Sequence, residues 1–252
     1  MLGFADKAAR YHSQSPESLF THIPGLRVVM PRSPSQAKGL LLASIACSDP
    51  VIFLEPKVLY RAAVEQVPME PYEIPLSTAE VVKEGKDLTI ISYGQPLYLC
   101  SSAIAAAEKD FGITIELLDL RTLYPWDREA VMKSVRKTGR ALVVHESMIN
   151  AGVGAEVAAS IQEAAFLHLE APVQRLGGWA THMGLPFERF NLPDVTRKSF
   201  SPPQTPHADF KRNLRCNKAD KRLLNGDSAQ TSATTSKCDR RYAAITTDLG
   251  LA

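Results

Sequence analysis

Apolar residues in this chain fall into short runs and helix-like spacings, separated by proline, glycine and acidic clusters. LRVVM (26–30) reads as a buried strand. Ser33, Pro34 and Gln36 then form a helix start, with Ser as N-cap, Pro at the first helical position and Gln closing a capping box. The predicted helix runs through KGLLLASIAC (38–47) until Asp49-Pro50 stops it, and VIFLEP (51–56) follows as a second apolar strand. Strand, helix and strand in that order form a β-α-β unit and imply a parallel sheet. From 63 to 86 the character changes, with Pro68, Pro71 and Pro75 standing among Glu65, Glu70 and Glu73. Prolines so dense forbid a continuous helix and predict an extended connector at a domain boundary.

Residues 87 to about 178 alternate cleanly. DLTIISYG (87–94), ITIELLDL (113–120), RALVVHE (140–146) and PVQRLG (172–177) read as strands. Leu97, Cys100, Ile104, Ala107 and Phe111 line one face of a helix between the first two. Helices are also predicted from Pro125 to Lys137, closed by Gly139, and from Gly152 to Leu167. Four strands joined by three crossover helices predict a doubly wound parallel α/β domain. The chain therefore divides into an α/β segment (1–62), a proline-rich linker (63–86), a second α/β domain (87–198) and a tail (199–252). The tail holds nine Lys or Arg against five Asp, a net of +4, and loses all periodicity. It is expected to be disordered, a basic nucleic-acid arm being the weaker alternative.

Composition narrows the class. The chain has 252 residues, 45% apolar and 22% charged, which excludes fibrous and wholly disordered proteins. A net charge of +2 implies no large basic surface, so no nucleic-acid partner is expected. Four spread cysteines suit a reducing compartment better than a disulfide scaffold. The longest uncharged run, Leu88 to Ala107, contains Ser92, Gly94, Gln95, Pro96, Ser101 and Ser102. It reads as a strand, turn and helix start rather than a membrane span. No apolar stretch opens the chain, so no targeting peptide is readable in it.

Few residues offer chemistry by spacing alone. His12, in the polar loop YHSQSPE (11–17), is placed for proton transfer or for bonding its own loop. Gly152-Val153-Gly154 opens a helix as a dinucleotide fingerprint does, but Val157 replaces the third glycine. Close packing of the helix on the sheet is the preferred reading there. His145 and Glu146 end a strand at the edge where open α/β sheets bind ligands, or else face a subunit partner. No zinc spacing, Walker loop or nucleophile elbow is present.

A resemblance carries the reading further. YHSQSPESLFTHIPGLRVVMPRSPSQAKGLLLASIACSDPVIFLEPKVLYR (11–61), LLDLRTLYPWD (117–127) and KTGRALVVHE (137–146) closely resemble the beta subunits of the branched-chain 2-oxo acid dehydrogenases. PRSP and FLEPKxLYR favour that family over the similar pyruvate dehydrogenase beta subunits. The resemblance implies the C-terminal part of a thiamine-diphosphate pyrimidine-type domain, followed by a transketolase C-terminal-like doubly wound domain. It implies oxidative decarboxylation of branched-chain 2-oxo acids with acyl transfer to lipoyl. The implied cofactor is thiamine diphosphate with magnesium, held mainly by an alpha subunit. His12 matches the family histidine that projects into the active site, and Ser44, Cys47 and Asp49 match a potassium-binding loop. The family's activating glutamate lies upstream of the HSQSPE loop, so a partial chain is expected. Implied partners are the alpha subunit, in a heterotetramer, and a lipoyl-bearing acyltransferase core, in the mitochondrial matrix and with no membrane. A non-catalytic fragment that keeps only an interaction surface, and a pyruvate-type subunit, remain the alternatives.

Overall fold

The structure is a computed structural model that describes residues 15–180. His12 and the 199–252 tail lie outside the described residues. The elements in chain order are α1 (Glu17–Thr21), β1 (Arg27–Val29), α2 (Pro34–Ala46), β2 (Val51–Phe53) and α3 (Leu59–Ala62). There follow β3 (Glu80–Lys83), β4 (Leu88–Ser92), α4 (Pro96–Phe111), β5 (Ile115–Asp119) and β6 (Thr122–Tyr124). The last are α5 (Arg128–Thr138), β7 (Ala141–Met148), α6 (Val153–Ala165), a 3₁₀ turn (Phe166–His168) and β8 (Gln174–Gly178).

Local chemistry explains several helix boundaries. Ser33, in extended backbone, accepts the Gln36 amide at the start of α2. The Gln36 side chain reaches back to the Arg32 amide at 3.0 Å, one residue beyond the usual capping-box partner. Helix α5 begins at Arg128 rather than Pro125 because Asp127 is the stronger cap, its carboxylate accepting the Ala130 amide at 3.0 Å. Gly112 and Gly139 close α4 and α5 in left-handed backbone, at φ 63° and 70°. The uncharged run 88–107 splits into β4 and part of α4. Among the described residues no helix is long and apolar enough to cross a membrane.

Two sheets result, in the orders β2-β1-β6 and β3-β5-β4-β7-β8. The larger sheet is parallel from β5 to β8, as the alternation predicts, but it gains a fifth, antiparallel edge strand. That strand, β3, comes from the segment expected to be connector. The prolines end at Pro75, and EVVK beyond them can pair; Glu80 and Lys83 give the edge the charge that discourages further pairing. Strand β6 was also unexpected. Three residues are too few to show a period of two, and its pairing with β1 is antiparallel.

The strand order reverses after β4. The chain goes from β4 through α4 to β5 on one side, then through α5 back across to β7 on the other. With right-handed crossovers this puts α4 on one face and α5 and α6, which touch each other, on the opposite face. The switch in direction lies between β4 and β7. One apolar core runs across both sheets, with Val28 and Met30 packed into the same cluster as Ile91, Leu118, Leu123 and Val157.

The connector is fastened along α2. Glu65 accepts the Ser35 amide and hydroxyl at 2.9 and 2.6 Å, which holds its carboxyl below the usual range. Lys38 donates to the carbonyls of Pro68, Met69 and Glu70 and lies 5.2 Å from the Tyr72 ring centroid. Gly39 lets the strand of connector lie flush, because a Cβ there would come within 2.6 Å of Ile74.

Asp119, fully buried, ties these parts together. Its Oδ2 accepts from Arg32 Nε and Gln36 Nε2, each at 3.0 Å, and its Oδ1 accepts the Arg121 amide at 3.1 Å. Glu80 Oε2 accepts from the same Arg32 and Gln36 at 3.1 and 2.6 Å. Burial pushes the Asp119 carboxyl up to about 6, against the pull of Gln36 and Arg32. The folded state therefore keeps a proton that the unfolded chain releases near pH 4. Its contribution to stability is full below that pH and is lost as pH rises through about 6. Urea unfolding of wild type and Asp119→Asn is expected to show their stability difference falling by up to about 3 kcal/mol from pH 4 to 6.5. A pH-independent difference would refute this.

Candidate functional site

The carboxyl ends of β1, β4 and β7 meet the start of α1 at one place. Open α/β sheets bind ligands outside their strand ends, where the strand order reverses. Between β4 and β7 the structure has a small hollow, lined by Ser15, Glu17, Met30, Tyr93, Gln95 and Glu146 among others. Its volume of about 10 Å³ is the room of roughly one water.

Ser15 Oγ donates to Glu146 Oε1 at 3.0 Å, so the loop before α1 is pinned to the end of β7. Two residues later Glu17 is wholly buried. The Tyr93 hydroxyl, just past β4, donates to Glu17 Oε1 at 2.9 Å. Burial raises the Glu17 carboxyl above its ordinary value, although its own backbone amide, Tyr93 and Ser147 pull it down. None of these groups is a cation. Tyr93 is pushed well above 10, chiefly by burial and then by the neighbouring carboxyl.

His145 sits behind this pair. Its ring stacks on Tyr93 with centroids 6.3 Å apart and planes 11° from parallel. Its Nδ1 lies 3.0 Å from both the Ser147 carbonyl and the Ser147 hydroxyl. A carbonyl only accepts, so the assigned tautomer carries its proton on Nδ1. Nε2 is buried with no hydrogen-bond partner. Burial pushes the imidazole down to about 4, so it is neutral at neutral pH. Its cage is glycine. A Cβ on Gly154 would fall 2.5 Å from Cδ2 and Nε2, one on Gly177 2.7 Å from Cε1, and one on Gly152 3.3 Å from Cε1. The Gly152-Val153-Gly154 turn thus packs the start of α6 against an imidazole, and it offers no open cradle to a phosphate.

The sequence-predicted residues fare differently. Glu146 reaches the hollow, whereas His145 is interior. Ser44 donates to the Leu40 carbonyl at 2.7 Å, within its own helix. Cys47 caps the end of α2, and Asp49 accepts from Arg27 Nε at 2.8 Å. Cys47 and Asp49 stand in the expected helix-to-strand turn and Ser44 in the last turn of α2 before it, with the Ser44 and Asp49 side chains engaged elsewhere, so any cation held there would rely on backbone carbonyls. No group of three or more His, Cys, Asp or Glu suited to a metal occurs among the described residues. Glu17 and Tyr93 escaped sequence reading. A glutamate next to Ser-Pro looks like exposed loop, and only tertiary packing buries it.

Comparison with known proteins matches the chain to two domain families. Residues 1–63 match the transketolase pyrimidine-binding domain and residues 77–196 the transketolase C-terminal domain. The chain is 64% identical to the mitochondrial 2-oxoisovalerate dehydrogenase subunit beta of Chaetomium thermophilum, over 79% of this chain and 43% of that protein. Identity to the Dictyostelium discoideum subunit of the same name is 55%, over 76% and 52%. The pyruvate dehydrogenase E1 component subunit beta of Acholeplasma laidlawii is 46% identical, over 69% and 53%. A split-gene transketolase, solved as an inactive beta4 tetramer, superposes with a TM-score of 0.60 at 26% identity, over 72% of this chain and 58% of that one. The chain spans about half the length of the curated relatives it matches.

The cage around His145 is directly testable. Gly154→Ala drives a methyl into a ring held by its Nδ1 bonds and its stack, and is expected to cost about 1–3 kcal/mol. Urea unfolding measures this. Adding His145→Ala, which vacates the space, should recover part of the loss, because the two sites touch. A Gly154→Ala chain as stable as wild type would contradict the cage.

Proposed function

The chain belongs to the family of branched-chain 2-oxo acid dehydrogenase beta subunits, and from that premise we propose that it serves as part of the decarboxylating component of such a complex. The reaction is oxidative decarboxylation of branched-chain 2-oxo acids, with the acyl unit passed to a lipoyl group on an acyltransferase core. The observation that carries this reading is the extent of identity to the 2-oxoisovalerate dehydrogenase subunits across both halves of the chain. The alternative of a pyruvate-type subunit is supported by lower identity.

Thiamine diphosphate, when bound, supplies the electron sink for decarboxylation. The described residues do not fit its diphosphate and magnesium. The glycine turn at α6 faces His145, and no acidic ligand cluster is present among the described residues. Those contacts are assigned to an alpha subunit in a heterotetramer. What this chain contributes is the segment around His12, whose imidazole donates or positions a proton during acyl transfer. Ser15 and Glu17, a few residues on, stand at the strand ends where a substrate would approach. A structural potassium ion would take backbone carbonyls at the end of α2 and in the turn that follows it, around Ser44, Cys47 and Asp49. The relatives are named mitochondrial, which supports the matrix as the place of action.

Co-expression with an alpha subunit tests the reading. The two chains are expected to purify together and, once the family's upstream segment with its activating glutamate is joined to this chain, to decarboxylate 3-methyl-2-oxobutanoate at least about tenfold faster than pyruvate, followed with an artificial electron acceptor. The unpaired chain is expected to turn over neither acid. Preference for pyruvate would favour the pyruvate-type reading. A stable pair without turnover would favour a non-catalytic fragment that keeps only its interaction surface.

A further inference from the structure

Between α3 and β3 the chain runs as a strap along one helix. Glu65 accepts the Ser35 amide and hydroxyl at one end of it. The Tyr72 hydroxyl donates to the Ser35 carbonyl at 2.7 Å, and the Ile74 amide donates to the Gly39 carbonyl at 3.1 Å. Ser35 and Gly39 both belong to α2. None of residues 61–75 is buried, and Val64 and Met69 are each 95% exposed. A segment with so few buried apolar contacts opens at a lower free energy than the sheets it joins. Its polar contacts to α2 therefore decide how often it opens.

Lys38 makes the densest of these contacts. The chain bends at Met69 and Glu70, and the carbonyls of Pro68, Met69 and Glu70 all accept from the Lys38 ammonium. An ammonium has three N–H donors, so three acceptors satisfy the whole group. The Tyr72 ring, with its centroid 5.2 Å away, adds the attraction of an aromatic face for a cation. A compact charge on a flexible stem suits such a cradle better than a planar guanidinium does. We propose that the three carbonyls and the Tyr72 ring form a binding site for a primary ammonium, filled by Lys38 of the same chain. Lys38 is thereby the latch of a strap, residues 65–74, that opens while both sheets stay folded. Opening separates no strands: β3 beyond the strap stays paired with β5, and Glu80 stays bonded to Arg32 and Gln36.

Amide hydrogen exchange in the whole 252-residue chain tests this. The Ile74 amide, bonded to Gly39, reports the strap, and the Ile91 amide, in the central strand β4, reports the sheet. In wild type Ile74 is expected to exchange at least about a hundredfold faster than Ile91, as a locally opening segment does. Lys38→Ala should speed exchange at Ile74 about tenfold, the worth of a charged hydrogen-bond donor discounted for an exposed site, and leave Ile91 unchanged. Cleavage after Glu73 by a glutamyl endopeptidase, followed by mass spectrometry, should rise by the same factor, because cleavage tracks the open population.

Chemical rescue separates an ammonium site from simple packing. n-Propylammonium replaces the atoms that Lys38→Ala removes, from Cγ to Nζ, and should restore slow exchange at Ile74 as its concentration rises. Tetramethylammonium at the same ionic strength carries the charge but no N–H, and should not. Equal effects of the two ions, or no rescue by either, would overturn the ammonium site. Ile74 and Ile91 exchanging together in wild type would overturn the separate opening. An Ile74 rate unmoved by Lys38→Ala would overturn the latch, and so would a matching loss of protection at Ile91, since Lys38 would then hold the sheets and not the strap.

Discussion

The buried carboxyl of Asp119 is the joint at which the start of α2, the end of β5 and the turn into β6 meet. It draws in Arg32 and Gln36 from the start of α2 and the Arg121 amide from the turn after β5. That turn puts Arg121 at φ 56°, a strained conformation for a non-glycine residue, sustained by the carboxyl it bonds. The reversal sends β6 onto β1, so the segment that builds the five-stranded sheet also completes the three-stranded one. Gln36 satisfies both its amide hydrogens on Glu80 and Asp119 and its oxygen on Arg32, and no polar atom of that side chain is wasted. Partners this complete let a carboxyl remain in the interior at all.

The joint decides where the strand ends lie. With β1 held beside β6, and β6 next to β5, Met30 is brought to the ends of β4 and β7. Two of the polar groups buried at or behind that place are shifted in opposite directions. Burial pushes His145 down and Glu17 up, and in both cases away from charge. Hydroxyls hold much of the set together: Tyr93 donates to Glu17 and Ser147 bonds the His145 ring, while His145 Nε2 stays without a partner. Gly152, Gly154 and Gly177 give the imidazole its room, so the backbone itself forms the wall of the cage.

Short-range features were legible along the chain. The cap of α2 rests on residues three or four apart, and the spacing of Leu97, Cys100, Ile104 and Ala107 marks a face that is buried in the fold. The central parallel strands β4, β5 and β7 of the larger sheet carry apolar runs, as strands covered on both faces must, whereas the edge strand β8 (QRLGG) has only Leu176. The resemblance of residues 11–61 to a beta subunit is likewise a property of the text, and it is what brought His12, Ser44, Cys47 and Asp49 forward as candidates.

Other features have no local signal, because their cause lies at a distance. Strands β3 and β6 are short, and exist because β5 and β1 offer free edges. Glu17 reads as a loop residue and is buried only because Tyr93, 76 positions away, comes to meet it. Gly154 looks like part of a cofactor turn until His145 is seen against it. The order and type of the main elements and the family of the chain were determined by the sequence alone, since capping and periodicity act within a turn or two. Which polar groups are buried, and which strand ends form a site, only the tertiary structure decided, because burial and pairing depend on residues dozens of positions apart.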